Sequence, residues 1–212
     1  MNVAALYIDP RGPYPAIVNL DCWDESRDAR LYDGPHPVVA HPPCGPWGLL
    51  RHLYRGSEHD CAPRAVEQVR RWGGVLEQPA GSKLWDQCGL PKPDVEPSEG
   101  GRLFGVARAI SSYRNERGDF TDSFGGYTIE IDQVEWGHVA RKRTWLYLVG
   151  VPREALEAPP FPGREPTHWC SGGGTGRGKT PPGIKVASAA QRRRTPPLFA
   201  AYLVRLARSV RI

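Results

Sequence analysis

Short apolar, often β-branched runs alternate with polar turns over the first eighty residues, the pattern of a mixed α/β chain. Val3 to Ile8 reads as a first strand ending at the turn Asp9-Pro10-Arg11-Gly12-Pro13. Ala16 to Trp23 reads as a second extended piece, followed by the polar segment Asp24 to Arg30. Pro37 to Ala40 reads as a third strand, with a short helix over Trp47 to Tyr54 beyond the turn that follows. Pro63 to Trp72 is the clearest helix, because Pro63 suits its first turn and Gly73-Gly74 close it. Val75-Leu76 begin a fourth strand that stops at Glu77-Gln78-Pro79.

The second half is patterned differently. From Pro91 to Phe124 the chain is rich in glycine, charge and serine, with a candidate helix over Leu103 to Ile110. Tyr127 to Trp136 alternates Ile129 and Ile131 with polar residues, and Thr144 to Val149 is a tight apolar run. The basic connection Gly137 to Arg143 makes these two an antiparallel pair. Residues 151–194 read as mostly loop, punctuated by Pro159-Pro160, Gly172-Gly173-Gly174 and Pro181-Pro182-Gly183. A last helix runs from Pro196 to Arg208, entered through Thr195 as its cap, with Leu198, Ala201, Tyr202 and Arg205 at helical spacing. No internal repeat is present.

At 212 residues the chain can bury one core of its own, and the expectation is a single α/β domain over 1–212. Its 22 prolines and 24 glycines agree with large loop content. The five cysteines are scattered and odd in number, which points to a reducing compartment rather than a disulfide framework. No apolar stretch approaches the roughly 20 residues needed to span a bilayer, and Asp9 follows Met1 too closely for a signal peptide. The expected location is the cytoplasm, with neither a membrane nor an obligate protein partner. Charge sharpens the picture: residues 137–212 carry 14 Lys and Arg against 3 Asp and Glu, whereas residues 1–136 carry 14 against 20. A basic C-terminal part on an otherwise acidic chain suits a polyanion, and DNA is the expected partner.

The residue best placed for chemistry is Cys44. The run Pro37-Val38-Val39-Ala40 feeds a proline-framed turn, His41-Pro42-Pro43-Cys44-Gly45-Pro46-Trp47, that presents the thiol at a strand end. Glu77 stands at the end of the next strand, and Arg141-Lys142-Arg143 follow in a basic turn. A thiolate, an acid able to protonate a ring nitrogen and cations for the groups around a nucleotide form a coherent set.

In order and context these pieces resemble the DNA cytosine-C5 methyltransferase family, in a compact, divergent, phage-type form. Pro43-Cys44 after a hydrophobic strand looks like its nucleophile motif, and Glu77-Gln78-Pro79 resembles its Glu-Asn-Val motif. Gly137 through Gly150 resembles its arginine-bearing motif, and Thr195-Pro196-Pro197-Leu198-Phe199-Ala200 looks like its last motif. The resemblance implies a Rossmann-like methyltransferase sheet with helices on both faces and an antiparallel strand pair toward the C-terminus. It implies that Cys44 adds to C6 of a flipped cytosine, that Glu77 contacts N3 and the exocyclic amine, and that S-adenosylmethionine donates a methyl group to C5. Arg141, Lys142 and Arg143, with Arg177 and Lys179, would hold the base or backbone phosphates. Asp9, Gly12, Asp21, Pro43, Thr195 and Pro196 would line the cofactor site.

Two departures from the family keep alternatives open. Tyr7-Ile8-Asp9-Pro10-Arg11-Gly12-Pro13 stands where the family has a glycine-rich Phe-x-Gly-x-Gly loop. A basic Gly/Pro-rich region over 151–194 stands in place of a large target-recognition domain. A pyrimidine-C5-modifying enzyme using another one-carbon donor or a free nucleotide is one alternative; a non-catalytic DNA-binding protein on the same scaffold is another. Gly173 to Thr180 formally fits a phosphate-binding P-loop, but no buried strand precedes it and Pro181-Pro182-Gly183 blocks the following helix. The spacing of Cys22, His41 and Cys44 lacks paired metal ligands, so no metal is expected; His138 and His168 read as surface or phosphate contacts.

Overall fold

The computed structural model of the protein describes residues 1–93, 113–114, 121–170 and 183–211. Four parallel strands occupy one side of a six-stranded sheet: β1 (Val3–Leu6), β2 (Leu20–Trp23), β3 (Val38–Ala40) and β4 (Gly74–Pro79), in spatial order β2-β1-β3-β4. Apart from the sheet, the two-residue strands β5 (Lys92–Pro93) and β6 (Tyr113–Arg114) pair with each other. The large sheet is completed by β7 (Tyr127–Asp132) at the edge and β8 (Arg143–Val149), which lies between β4 and β7 and runs antiparallel to both. Chain order therefore reverses about β1, with β2 on one side and β3 on the other. In open α/β sheets such a switch point opens a crevice at the carboxyl ends of the strands.

The inner strands β1, β3, β4 and β8 are largely buried on both faces, so their residues divide alternately between two cores. Val3, Ala5, Val39, Val75, Leu146 and Leu148 face one side; Ala4, Leu6, Val38, Ala40, Leu76 and Tyr147 face the other. Helix α1 (Cys61–Trp72) connects β3 to β4 and covers the second face with Ala62, Ala65, Val66 and Val69, together with α2 (Leu84–Cys88). On the first face lies the C-terminal helix, which follows a short helix α3 (Ala189–Arg193) and is here α4 (Pro197–Arg208). It buries Phe199, Tyr202, Leu203 and Leu206, and the Trp136 ring stacks on Tyr202 at 4.1 Å. The result is a mixed α/β architecture with a multistranded sheet flanked by helices.

Where sequence and structure differ, local chemistry explains it. Gly74 adopts φ +120° directly opposite Val38, so β4 starts there, one residue before Val75, and runs through to Pro79. The expected helix over 47–54 contracts to one turn at Arg51–Leu53, after a proline-rich turn with few helix formers. Tyr127–Trp136 divides into β7 and a 3-10 turn at Gln133–Trp136, which the Asp132 side chain caps through the Val134 amide. The C-terminal helix begins one residue late: Pro196 is its N-cap and Pro197 takes the first helical position, so Thr195 does not cap it. The region 151–194 is not all loop. Ser188 and Gln191 form a reciprocal capping box that starts α3, and β9 (His168–Trp169) pairs parallel with β10 (Lys185–Val186). The candidate helix over 103–110 lies outside the described residues.

Candidate active site

The register of β3 and β4 builds the site. Ala40 pairs with Leu76, so the next residues, His41 and Glu77, emerge side by side at the carboxyl ends of two parallel strands. Alternation carries both onto the face of Val39 and Val75. His41 Nδ1 meets Glu77 Oε2 at 3.0 Å, and the other ring nitrogen, Nε2, makes a short hydrogen bond to the hydroxyl of Tyr14. From the β7 side, Gln133 Nε2 donates to Glu77 Oε1 at 3.0 Å and to Thr144 Oγ1 at 2.9 Å; the threonine hydroxyl donates to the Lys142 carbonyl. Glu77 is thereby only 8% exposed yet bonded at both oxygens. Gln78, pointing to the opposite face, donates to the Pro42 carbonyl at 2.6 Å and ties the end of β4 to the cysteine turn.

Cys44 sits at the start of that turn, where its carbonyl accepts from the amides of Trp47 at 3.1 Å and Gly48 at 2.8 Å. A side chain in place of Gly45 would meet the Tyr54 ring, which would have to shift to admit it. The residue is exposed at the surface, but enough protein surrounds the sulfur for burial to push its thiol up, and the Glu77 carboxylate pushes it further. Lys142 and Arg193 oppose both effects. Burial alone would likewise raise Glu77. The attraction of Lys142 and the bonds from His41 and Gln133 outweigh it and hold the carboxyl at about 2. The carboxylate is ionised, and the sulfur rests as a thiol.

The other candidates take distinct positions. Lys142 Nζ lies 3.8 Å from Glu77, but its neighbours are engaged elsewhere: Arg143 is bidentate to Glu130 at 2.6 and 2.9 Å, and Arg141 pairs with Asp132 at 3.2 Å. Arg177 and Lys179 lie outside the described residues. An open cleft of about 580 Å³ lies beyond the carboxyl ends of β1 and β2, lined by Ile8, Asp9, Pro10, Arg11, Asp24, Glu25 and Ser26. Asp9 belongs to it, in an ion pair with Arg11. Gly12 only closes the turn beneath, its amide donating to the Asp9 carbonyl. Asp21 is not in the lining: its carboxylate is held by Trp23 Nε1 at 2.8 Å and by Arg27 at 2.6 Å. Pro43 adjoins Cys44, and Thr195 and Pro196 lead into α4, with Pro196 beside Gly137. His138 is not at the surface; its ring is 3% exposed and bonded to the carbonyls of Ala140 and Gln191.

Sequence patterns did not single out His41, Tyr14 or Gln133 as parts of this site, nor Asp24 at the cleft. His41 and Asp24 could have been found by their place, each one residue past the end of a parallel strand. Tyr14 and Gln133 carry no such signal, since each reaches Glu77 or its partner through tertiary packing. Among the described residues no group of three or more His, Cys, Asp or Glu could hold a metal ion, and no helix is long and apolar enough to cross a membrane. In comparisons with known proteins, no family model, no curated protein and no solved structure matches the chain.

Proposed function

We propose that the protein is a DNA cytosine-C5 methyltransferase-like enzyme. The observation that carries the reading is the ionised, doubly pinned carboxylate of Glu77 beside the Cys44 turn, at the ends of adjacent parallel strands. Strand β8, antiparallel between β4 and β7, supports the Rossmann-like methyltransferase sheet that the resemblance implies. The cleft beside β1 and β2 fits S-adenosylmethionine: Asp24 and Glu25 offer acceptors to a ribose diol, Ile8 and Pro10 offer apolar surface to a purine, and the acidic lining attracts a sulfonium. Bound there, that group supplies an electrophilic methyl.

The chain's own residues do the rest. The Cys44 thiol gives its proton to solvent water as its sulfur bonds to C6, while N3 takes a proton from water at the edge that the ionised Glu77 holds. The electron pair displaced toward C5 makes that carbon nucleophilic enough to take the methyl group. A solvent base then takes the C5 proton, the electrons of that bond restore C5=C6 as the C6–sulfur bond breaks and returns the thiolate, and N3 gives its proton back to water. Lys142 stabilises Glu77 throughout. Arg193 and Arg194, exposed and without an acidic partner among the described residues, offer contacts to phosphates next to the base; the charge of Arg193 is already felt at Cys44.

Mass spectrometry of nucleosides from DNA incubated with the protein and S-adenosylmethionine tests the reading, and one added methyl mass on cytosine is expected. DNA containing 5-fluorocytosine should form a covalent adduct with the wild type and not with Cys44→Ser. Binding of such DNA with no adduct would overturn cysteine addition. The second reading is a pyrimidine-C5-modifying enzyme with another one-carbon donor, favoured by Asp9-Pro10-Arg11-Gly12 standing in place of a glycine-rich loop. It predicts a different added mass, and no effect of Asp24→Ala on S-adenosylmethionine binding.

A further inference from the structure

We propose that His41, held by Tyr14, is a positioning residue that keeps Glu77 an acceptor-only carboxylate, and that this makes the site select an aminopyrimidine edge over an oxopyrimidine edge. The inference rests on the function proposed above and adds to it two residues and a specificity. With the imidazole neutral, both of its bonds are satisfied in one arrangement: the Tyr14 hydroxyl donates to Nε2, and Nδ1–H donates to Glu77 Oε2. Tyr14 is suited to be a fixed donor. It is 2% exposed, and burial, followed by the nearby Glu77 and Cys22, pushes its hydroxyl well above the usual range, so it does not give up its proton. The same reluctance makes a proton shuttle through Tyr14 unfavourable and leaves orientation as the role of the pair.

The consequence follows from the hydrogen-bond inventory of the two kinds of ring. Gln133 holds Oε1 and His41 holds Oε2, so the carboxylate turns toward an incoming base only as an acceptor. A cytosine protonated at N3 presents two adjacent donors, N3–H and the exocyclic amine, and matches it. A uracil or thymine presents one donor beside the O4 carbonyl, whose lone pairs oppose an ionised carboxylate. A protonated carboxyl, donor on one oxygen and acceptor on the other, would match that second edge instead. Removing His41 deletes one of the bonds that hold Glu77 ionised and oriented, so discrimination should suffer more than binding.

The test compares covalent trapping of DNA oligonucleotides carrying 5-fluorocytosine or 5-fluorouracil at one position, with saturating S-adenosylmethionine, in wild type, His41→Ala, His41→Asn and Tyr14→Phe. Wild type is expected to favour fluorocytosine by about 10²-fold. His41→Ala should lower that ratio about tenfold or more, with little change in half-saturating DNA concentration. His41→Asn, whose amide N–H can replace Nδ1–H, should restore most of it, and Tyr14→Phe, which keeps the ring volume, should fall between. An unchanged ratio in folded His41→Ala or Tyr14→Phe overturns the role while leaving the methyltransferase reading intact. A wild type that binds the oligonucleotides and traps neither base overturns cysteine addition itself, and the role falls with it.

Discussion

Lys142 Nζ lies 3.8 Å from Oε1 of Glu77, at the rim of a carboxylate otherwise almost closed off from water. A buried charge without a partner costs several kcal/mol. Here the partner comes from the basic turn before β8 and reaches a residue 65 positions earlier in the chain, an arrangement possible only because β8 pairs with β4.

The charge of Glu77 therefore links stability to pH. Its carboxyl is lowered from a usual 4.5 to about 2 in the folded protein, so the stability it contributes is fully present above about pH 4.5 and is lost as pH falls through about 2. Lys142→Met should destabilise the protein by about 3 kcal/mol at pH 7. That deficit should narrow steadily toward pH 2, where the wild type also loses the attraction. Urea unfolding midpoints of the two proteins between pH 7 and pH 2.5 check this, and a deficit that stays constant with pH would refute the linkage.

The same two residues act on Cys44 with opposite signs. Burial and then the Glu77 carboxylate raise the thiol, while Lys142 and Arg193 lower it. Alkylation of Cys44 by iodoacetamide should be slow at pH 7 and accelerate above pH 9 in the wild type. Glu77→Gln should speed it at pH 8 and Lys142→Met should slow it, since losing the carboxylate eases ionisation of the thiol and losing the ammonium hinders it. Peptide mapping after timed alkylation reads the rate at this cysteine alone.

The parallel half of the sheet was legible in the sequence because β1, β3 and β4 are apolar runs ended by turn residues, and α1 ends at Gly73 with an apolar face at helical spacing. Cys44 and Glu77 were legible for the same reason, as polar residues at the ends of such runs. What surrounds them was not. Tyr14 sits in a single 3-10 turn that looks like loop, and Gln133 in the polar continuation of a strand; neither declares itself until register and packing bring it to His41 or Glu77. The arginines of 141–143 also have partners that the sequence does not announce. A basic triplet reads as a phosphate clamp, whereas cross-strand pairing gives Arg143 to Glu130 and the turn gives Arg141 to Asp132.

Gly74 tests the register that brings His41 to Glu77. Its φ of +120° is open to glycine and strained for any other residue, and an added methyl group would meet the Val38 carbonyl within the β3–β4 ladder. Gly74→Ala should cost about 3 kcal/mol or more, from backbone strain plus displacement of a buried strand. Gly81→Ala is the control: it has a positive φ but open space around it, and should cost only about 1 kcal/mol. Equal losses at the two positions, measured by chemical unfolding, would show that the close approach of β3 and β4 at Gly74 contributes nothing.

Arg193 and Arg194 give the sharpest test of the partner. Both are exposed on α3 or immediately after it, on a segment anchored by the Ser188–Gln191 capping box and by the bond between His138 and the Gln191 carbonyl. Among the described residues neither has an acidic partner, in contrast to Arg141 and Arg143. If they contact phosphates, Arg193→Ala and Arg194→Ala should each weaken binding to DNA of any sequence and each reduce the slope of log affinity against log salt by about one. Arg143→Ala should instead lower stability through Glu130 and leave that slope unchanged. Fluorescence anisotropy with a labelled oligonucleotide over a salt series separates the two outcomes, and a slope unaffected by both α3 variants would place the phosphate contacts elsewhere on the protein.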